Sequence, residues 1–145
     1  MNTIKSTTKQ GYPLSLVYTR QQPKGASKRK VIRRANPDKI ALPTLDGLVF
    51  ENIDNVVYLE AQGNYTYIHL VEGKKMLVCK TLREVEDNIR TESFVRVHRS
   101  YTINMHMLSR YVKGKGGYVI LENGTTVNVS AGRKKAFMEA VEMLF

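Results

Sequence analysis

The chain has 145 residues, 42% of them hydrophobic and 25% charged, ordinary globular usage that leaves room for one domain of roughly 100 residues plus an appendage. That length does not suit a multidomain enzyme, no apolar stretch approaches the roughly 18 to 20 residues of a membrane helix, and the amino terminus lacks the basic-then-apolar order of a secretory signal, so a cytoplasmic protein is expected. The formal net charge of +10 is uneven: ten Lys or Arg before Ile40 face only Asp38, whereas from Ile40 onward 13 basic residues meet 12 acidic ones.

Residues 1–38 are rich in Lys, Arg, Thr, Gln, Pro and Gly without a sustained period, and are expected to form a flexible basic leader. Within it, residues 12–18 have the apolar content of a short strand or docking segment, although Pro13 weakens a strand. The cluster Lys28, Arg29, Lys30, Arg33 and Arg34 reads either as a nonspecific contact along a phosphate backbone or as a solvated tail. After Pro37-Asp38 short apolar segments alternate with turn residues, so a β-rich domain is expected over residues 39–145. Strands are predicted over 39–42, 48–50, 56–61, 65–71, 75–79, 94–97, 108–113, 118–121 and 125–129. Between them stand Asp46-Gly47, Gly63-Asn64, Glu72-Gly73, Gly116-Gly117 and Asn123-Gly124, dipeptides that supply the positive φ of tight hairpins. Neighbouring strands should therefore be antiparallel. Two segments break the β pattern. Thr81 is an N-cap for a short helix with Leu82, Val85 and Ile89 on one face, and Ser130 opens a helix with Phe137, Val141 and Leu144 on a common stripe.

The stretch Phe94-Val95-Arg96-Val97-His98-Arg99-Ser100-Tyr101-Thr102-Ile103-Asn104 is an apolar run interrupted by polar groups. Arg99 can fork to guanine O6 and N7 or to a phosphate, His98 can donate to phosphate, and Ser100 and Asn104 offer short hydrogen-bonding groups. On the other reading, His98 and Asn104 are satisfied polar groups that brace the loop from within. The stretch resembles the signature of LytTR-type DNA-binding domains, an aromatic-x-Arg-Val-His-Arg-Ser-Tyr-x-Val-Asn pattern between a helix and the following strand. The resemblance continues upstream through residues 53–65, a strand and its Glu-Ala-x-Gly-Asn-Tyr turn, and through 80–86, a short helix; downstream it takes in 121–130, a final hairpin. In all it spans about residues 40–145.

This resemblance implies a mainly β fold: an elongated arrangement of small antiparallel sheets with one short internal helix and a C-terminal helix, its loops entering successive major grooves of DNA. Three loops then matter. The first holds Asn64, Tyr65 and Thr66, with Gly63 permitting close backbone approach and Tyr65 alternatively in the core. The second holds His98, Arg99 and Ser100, with Arg99 the expected contact, Tyr101 and Ile103 expected to pack, and Asn104 expected to brace or contact. The third holds Ser130, Arg133, Lys134 and Lys135, where cations grip phosphate and one can read a base. Here the chain departs from the family, which commonly carries basic residues directly after the serine; Ala131 and Gly132 stand there instead, and Arg133 is the first choice for contact.

Other patterns point elsewhere or nowhere. Lys113-Gly114-Lys115-Gly116-Gly117 lacks the spacing and the Lys-Ser/Thr ending of a phosphate-binding loop and joins two strands, so it reads as a hairpin. His69, His98, His106 and Cys79 lack the paired spacings of zinc sites, and Cys79 reads as a buried structural thiol. No metal, cofactor or catalytic group is expected, and with them no enzyme. The function expected is bacterial transcription regulation by sequence-specific binding to double-stranded DNA, as a dimer on repeated half-sites. The 38 mostly polar residues are not expected to build a receiver domain, and regulation is left open between a separate membrane or signalling partner, expression level and the leader itself. Two other classes fit the composition: a structured-RNA or ribosome-associated module whose Tyr65, Tyr67 and Tyr118 stack bases, and a protein-interaction regulator acting through residues 12–18 on a DNA-binding partner.

Overall fold

The computed structural model describes residues 38–144. The leader, with its cluster Lys28, Arg29, Lys30, Arg33 and Arg34 and its apolar segment 12–18, lies outside the described residues. From Lys39 onward the expected β pattern is present. Strands β1 (Lys39–Thr44) and β2 (Gly47–Asn52) form an antiparallel hairpin in which Thr44 faces Gly47, so Leu45-Asp46 is the turn and Gly47 opens the second strand. Ile40 and Leu42 point into the core, while Leu48 and Phe50 on the opposite face stay exposed.

Five strands follow in one sheet, β3 (Val56–Gln62), β4 (Tyr65–Leu70), β5 (Lys75–Val78), β6 (Phe94–His98) and β7 (Tyr101–Asn104), in the order β5-β4-β3-β7-β6. A three-stranded sheet holds β8 (Leu108–Val112), β9 (Tyr118–Leu121) and β10 (Thr126–Asn128) in the order β10-β9-β8. All pairings are antiparallel as expected, although the positive φ of the β8–β9 loop falls on Gly114 and not on Gly116-Gly117.

Helix α1 (Leu82–Asn88) begins with a capping box. Glu84 N donates to Thr81 Oγ1 at 3.2 Å while Thr81 N donates back to Glu84 Oε1 at 2.9 Å, so two backbone donors that would otherwise be orphaned are satisfied reciprocally. The bond from the Thr81 backbone is the main reason the Glu84 carboxyl lies below its ordinary value. Helix α2 (Lys134–Glu142) starts later than the sequence suggests, after a turn of 3-10 helix over Ala131–Arg133. Ser130 makes no side-chain cap; its N–H is committed to Val97 O at 2.8 Å. Leu144, expected on the buried stripe with Phe137 and Val141, lies past the helix end and is exposed.

Two cores flank the large sheet. One joins Ile40, Leu42, Val56, Leu59, Ile68, Val78, Leu82 and Val85 under β1 and α1; the other joins Val57, Tyr58, Val97, Ile103, Val119, Leu121, Val127 and Phe137 under the small sheet and α2. β3 feeds both. Its run Val56-Val57-Tyr58-Leu59 is buried throughout, and the break in register between Val56 and Tyr58 explains why the alternation of faces slips there. Phe137 is wholly buried with its ring 5.1 Å from that of Tyr111, an anchor whose truncation to Ala would cost about 3–5 kcal/mol.

β7 is absent from the sequence reading, and the reason is physical. Its pattern Tyr101-Thr102-Ile103-Asn104 places polar residues where a buried strand should be apolar, yet both are satisfied inside. Thr102 Oγ1 donates to the Glu86 carboxylate. Asn104 Nδ2 donates to Val56 O at 2.9 Å, and Asn104 Oδ1 accepts from His106 N at 3.0 Å.

Candidate nucleic-acid interface

The register of the large sheet decides which loops share an end. Gln62 faces Tyr65, so the β3–β4 turn is Gly63-Asn64; His98 faces Tyr101, so the β6–β7 turn is Arg99-Ser100. Because Glu60 on β3 pairs with Tyr101 on β7, the two turns are neighbours, and Ala61 N donates to Ser100 O at 2.8 Å across the gap. β5 leaves the sheet at the same end, since Val78 faces Thr66. A further segment arrives from the second core: the bond from Ser130 N to Val97 O fastens the start of the C-terminal helical region beside the end of β6.

The two turns are shaped differently. Gly63 has φ +62 at the first central position, where a II′ hairpin turn needs a positive φ, and a Cβ there would meet nothing within 4 Å. The β6–β7 turn is instead held by side chains. Arg96 donates three times: Nε to His98 O at 3.0 Å, Nη2 to Arg99 O at 2.6 Å, and Nη1 to Glu86 Oε1 at 3.1 Å. Glu86, on α1, also accepts from Thr102. Within the turn, Ser100 N donates to His98 Nδ1 at 3.1 Å, which leaves Nε2 as the ring nitrogen that this bond does not engage.

Behind the turn the rings form a row. His98 lies 5.6 Å from Tyr101, Tyr101 lies 6.2 Å from Tyr58, and Tyr58 stacks on His69 at 4.0 Å with planes 6° apart. His69 Nε2 is 2.8 Å from Glu60 Oε1. Burial, and then the Glu60 carboxylate, raise the phenols of Tyr58 and Tyr101 above their ordinary value, so both rings stay neutral and protonated behind the surface.

The expected contact residues divide by accessibility. Asn64, Arg99, Arg133 and Lys135 are exposed, and Tyr65, with 45% of its surface exposed, is not a core residue. His98, Ser100, Ser130 and Lys134 are half-buried. Thr66, expected as a contact, is corrected by the structure, whereas Asn104 takes the bracing one of its two expected roles. Thr66 is 0% exposed and donates through Oγ1 to Lys80 O at 2.8 Å; Asn104 is 2% exposed with both ends of its amide engaged, so each braces the framework behind the loops. Arg96 and Glu86 are the residues that sequence reasoning missed as parts of this site. The available signal was Arg96 itself, a cation inside the strand Phe94-Val95-Arg96-Val97, which a half-buried position tolerates only with a partner. Cys79 is half-buried, less enclosed than the sequence suggests.

Comparison with known proteins bears on the same region. The family model for the LytTr DNA-binding domain matches residues 46–142. The CO-responsive transcriptional regulator RcoM of Rhodospirillum rubrum is 30% identical over 96 residues, 66% of this chain and 40% of that regulator. The chain thus spans less than half the length of that curated relative. Among solved structures, the LytTr DNA-binding domain of a Bacillus cereus protein described as a methyl-accepting/DNA response regulator is similar, with a TM-score of 0.62 at 26% identity, covering 72% of this chain and 96% of that one.

Proposed function

The chain belongs to the LytTr DNA-binding domain family, and from that premise we propose that it regulates transcription by sequence-selective binding to double-stranded DNA through loops at one end of its five-stranded sheet. The observation that carries this reading is the strand register, which sets the β3–β4 turn beside the β6–β7 turn and the Ser130 segment beside the end of β6. Exposed Asn64, Tyr65, Arg99, Arg133 and Lys135 project from those segments. Donors and cations on adjoining turns suit a duplex, where phosphate contacts set position and base edges in the major groove set sequence. Arg99 takes the base-reading role, because a braced turn fixes where its guanidinium can reach. Arg133, Lys134 and Lys135 hold phosphate, Asn64 and Tyr65 contact the neighbouring groove, and His98, Ser100 and Ser130 offer their remaining hydrogen-bonding groups to the backbone.

Support for a duplex over single-stranded RNA comes from the sheet itself. β3 at its centre contributes to both cores, and the Lys75 ammonium lies over the ring of Tyr67, 4.4 Å from its centroid, so Tyr67 is not open for a base to stack on that face. A single copy presents a short row of contacts, so a pair on repeated half-sites would gain the affinity that one copy lacks. The protein would work in the cytoplasm, with its signal supplied by a separate membrane or signalling partner.

The test is selection of the intact chain on a pool of random duplexes. A repeated motif should be enriched, and Arg99→Ala should weaken binding to it by about 1–3 kcal/mol, roughly 5- to 150-fold, and relax the preference at one base pair. Equal binding to every duplex, with Arg99→Ala indistinguishable from the parent, would sink the reading.

A further inference from the structure

The loop between β8 and β9 carries chemistry that the three expected contact segments leave unused. Lys113, Gly114, Lys115 and Gly116 are exposed, and Gly114 takes a φ of +143, a conformation that side chains rarely adopt. Despite its glycines the loop is tied down at both ends. Gly117 is buried against Tyr111, where a Cβ would come within 3.0 Å of the phenol oxygen, and Tyr111 in turn packs on Phe137. Gly117 O accepts from Val129 N at 2.9 Å, and Gly114 O accepts from the Lys134 ammonium at 3.3 Å. The loop is therefore fastened directly to the segment that holds Ser130, Arg133 and Lys134. Among the described residues neither Lys113 nor Lys115 is paired with a carboxylate, so both charges are available.

We propose that Lys113 and Lys115 form a fourth contact segment, which binds phosphates of the DNA backbone flanking the bases read by the other three. The proposal rests on the reading above and extends its footprint. Lysine suits this role: a compact point charge on a flexible stem finds a phosphate without demanding base geometry, whereas the forked guanidinium of Arg99 suits base edges. The exposed glycines between and after the lysines leave no Cβ to hold the loop away from the duplex. Lys134 contributes twice, as a cation and as the tether that holds the loop next to Arg133.

Phosphate contacts release counterions, each adding about 0.9 to the steepness of log K against log salt on duplex DNA. The double substitution Lys113→Ala/Lys115→Ala in the full chain should therefore flatten that slope by about 1.8. Raising salt from 50 to 200 mM would then cost the variant about 12-fold less affinity than the parent. The enriched motif and the ratio of binding to the selected over a scrambled duplex should stay as in the parent. Lys113→Arg/Lys115→Arg should keep the parent slope, and unchanged thermal melting would show that both variants fold. A flat response, with motif and slope both as in the parent, overturns the fourth segment while leaving the regulator reading intact. Loss of the motif in the parent itself overturns both. An altered motif with an unaltered slope would make the lysines base readers, against the proposal.

Discussion

The turns at Gly63-Asn64 and Arg99-Ser100 are equally long and adjacent in the same sheet, yet they are built on opposite plans. The first is a local solution: one glycine at φ +62 satisfies the geometry, and its immediate neighbours do the rest. The second is a distributed one, in which Arg96 from β6, Glu86 from α1, Thr102 from β7 and the backbone of Ala61 from β3 all converge on a turn without glycine. The difference teaches how a two-residue turn without glycine can still hold an exposed side chain in a fixed setting. Where Asn64 is carried on backbone conformation alone, Arg99 is carried on a network that immobilises the carbonyls on either side of it.

Breaking the network should have the largest effect. Arg96→Ala removes three donors and leaves the half-buried Glu86 without its cation, so a loss of about 2–3 kcal/mol in urea unfolding is expected, discounted for the partial exposure of both groups. Affinity for the selected duplex should fall as well, although Arg96 is committed to protein acceptors. If stability drops and DNA affinity per folded molecule does not, the turn does not need its brace. A smaller loss is expected at the other turn. Gly63→Ala meets open space and so costs only the strain of a positive φ, about 1–2 kcal/mol. The two effects should add in the double variant Arg96→Ala/Gly63→Ala if the turns are independent, and depart from additivity by more than about 0.5 kcal/mol if the bond between Ala61 and Ser100 couples them.

Smallest is the cap of the helix that carries Glu86. Thr81→Ala should cost about 1 kcal/mol at neutral pH. Glu84 titrates below its ordinary range, so the stability it lends is present above the unfolded carboxyl range and is lost as pH falls through the folded value. The penalty of Glu84→Ala, which removes the carboxylate that the Thr81 N–H reaches, should accordingly shrink in acid, and a penalty independent of pH would mean the reciprocal half of the capping box is idle.

The same contrast explains what could be read from the sequence. Gly63-Asn64, the Thr81 N-cap and the alternating strands were legible because their causes lie within a few neighbouring residues. β7 was not, because Thr102 and Asn104 look like loop or contact residues until Glu86, 16 positions away, and Val56, 48 away, are seen to satisfy them. Thr66 misleads for the same reason: its partner, the carbonyl of Lys80, is brought close only by the pairing of β4 with β5. Resemblance to the family singled out one stretch of chain, but it could not separate the side chains that face outward from those that hold the stretch in place.

One bond has a consequence beyond the loops. The edge strand β6 would offer an open row of backbone groups, but the N–H of Ser130 occupies the Val97 carbonyl and the C-terminal helical region continues past it. At the opposite edge, beyond β5, Cys79 N is taken by Pro43 O. Each border of the sheet is thus occupied at the end that carries the two turns, which works against its extension there by strand addition from a second molecule. If copies bind side by side on one duplex, as proposed, they would stay separate folded units instead of zippering edge to edge, and the duplex would dictate their spacing.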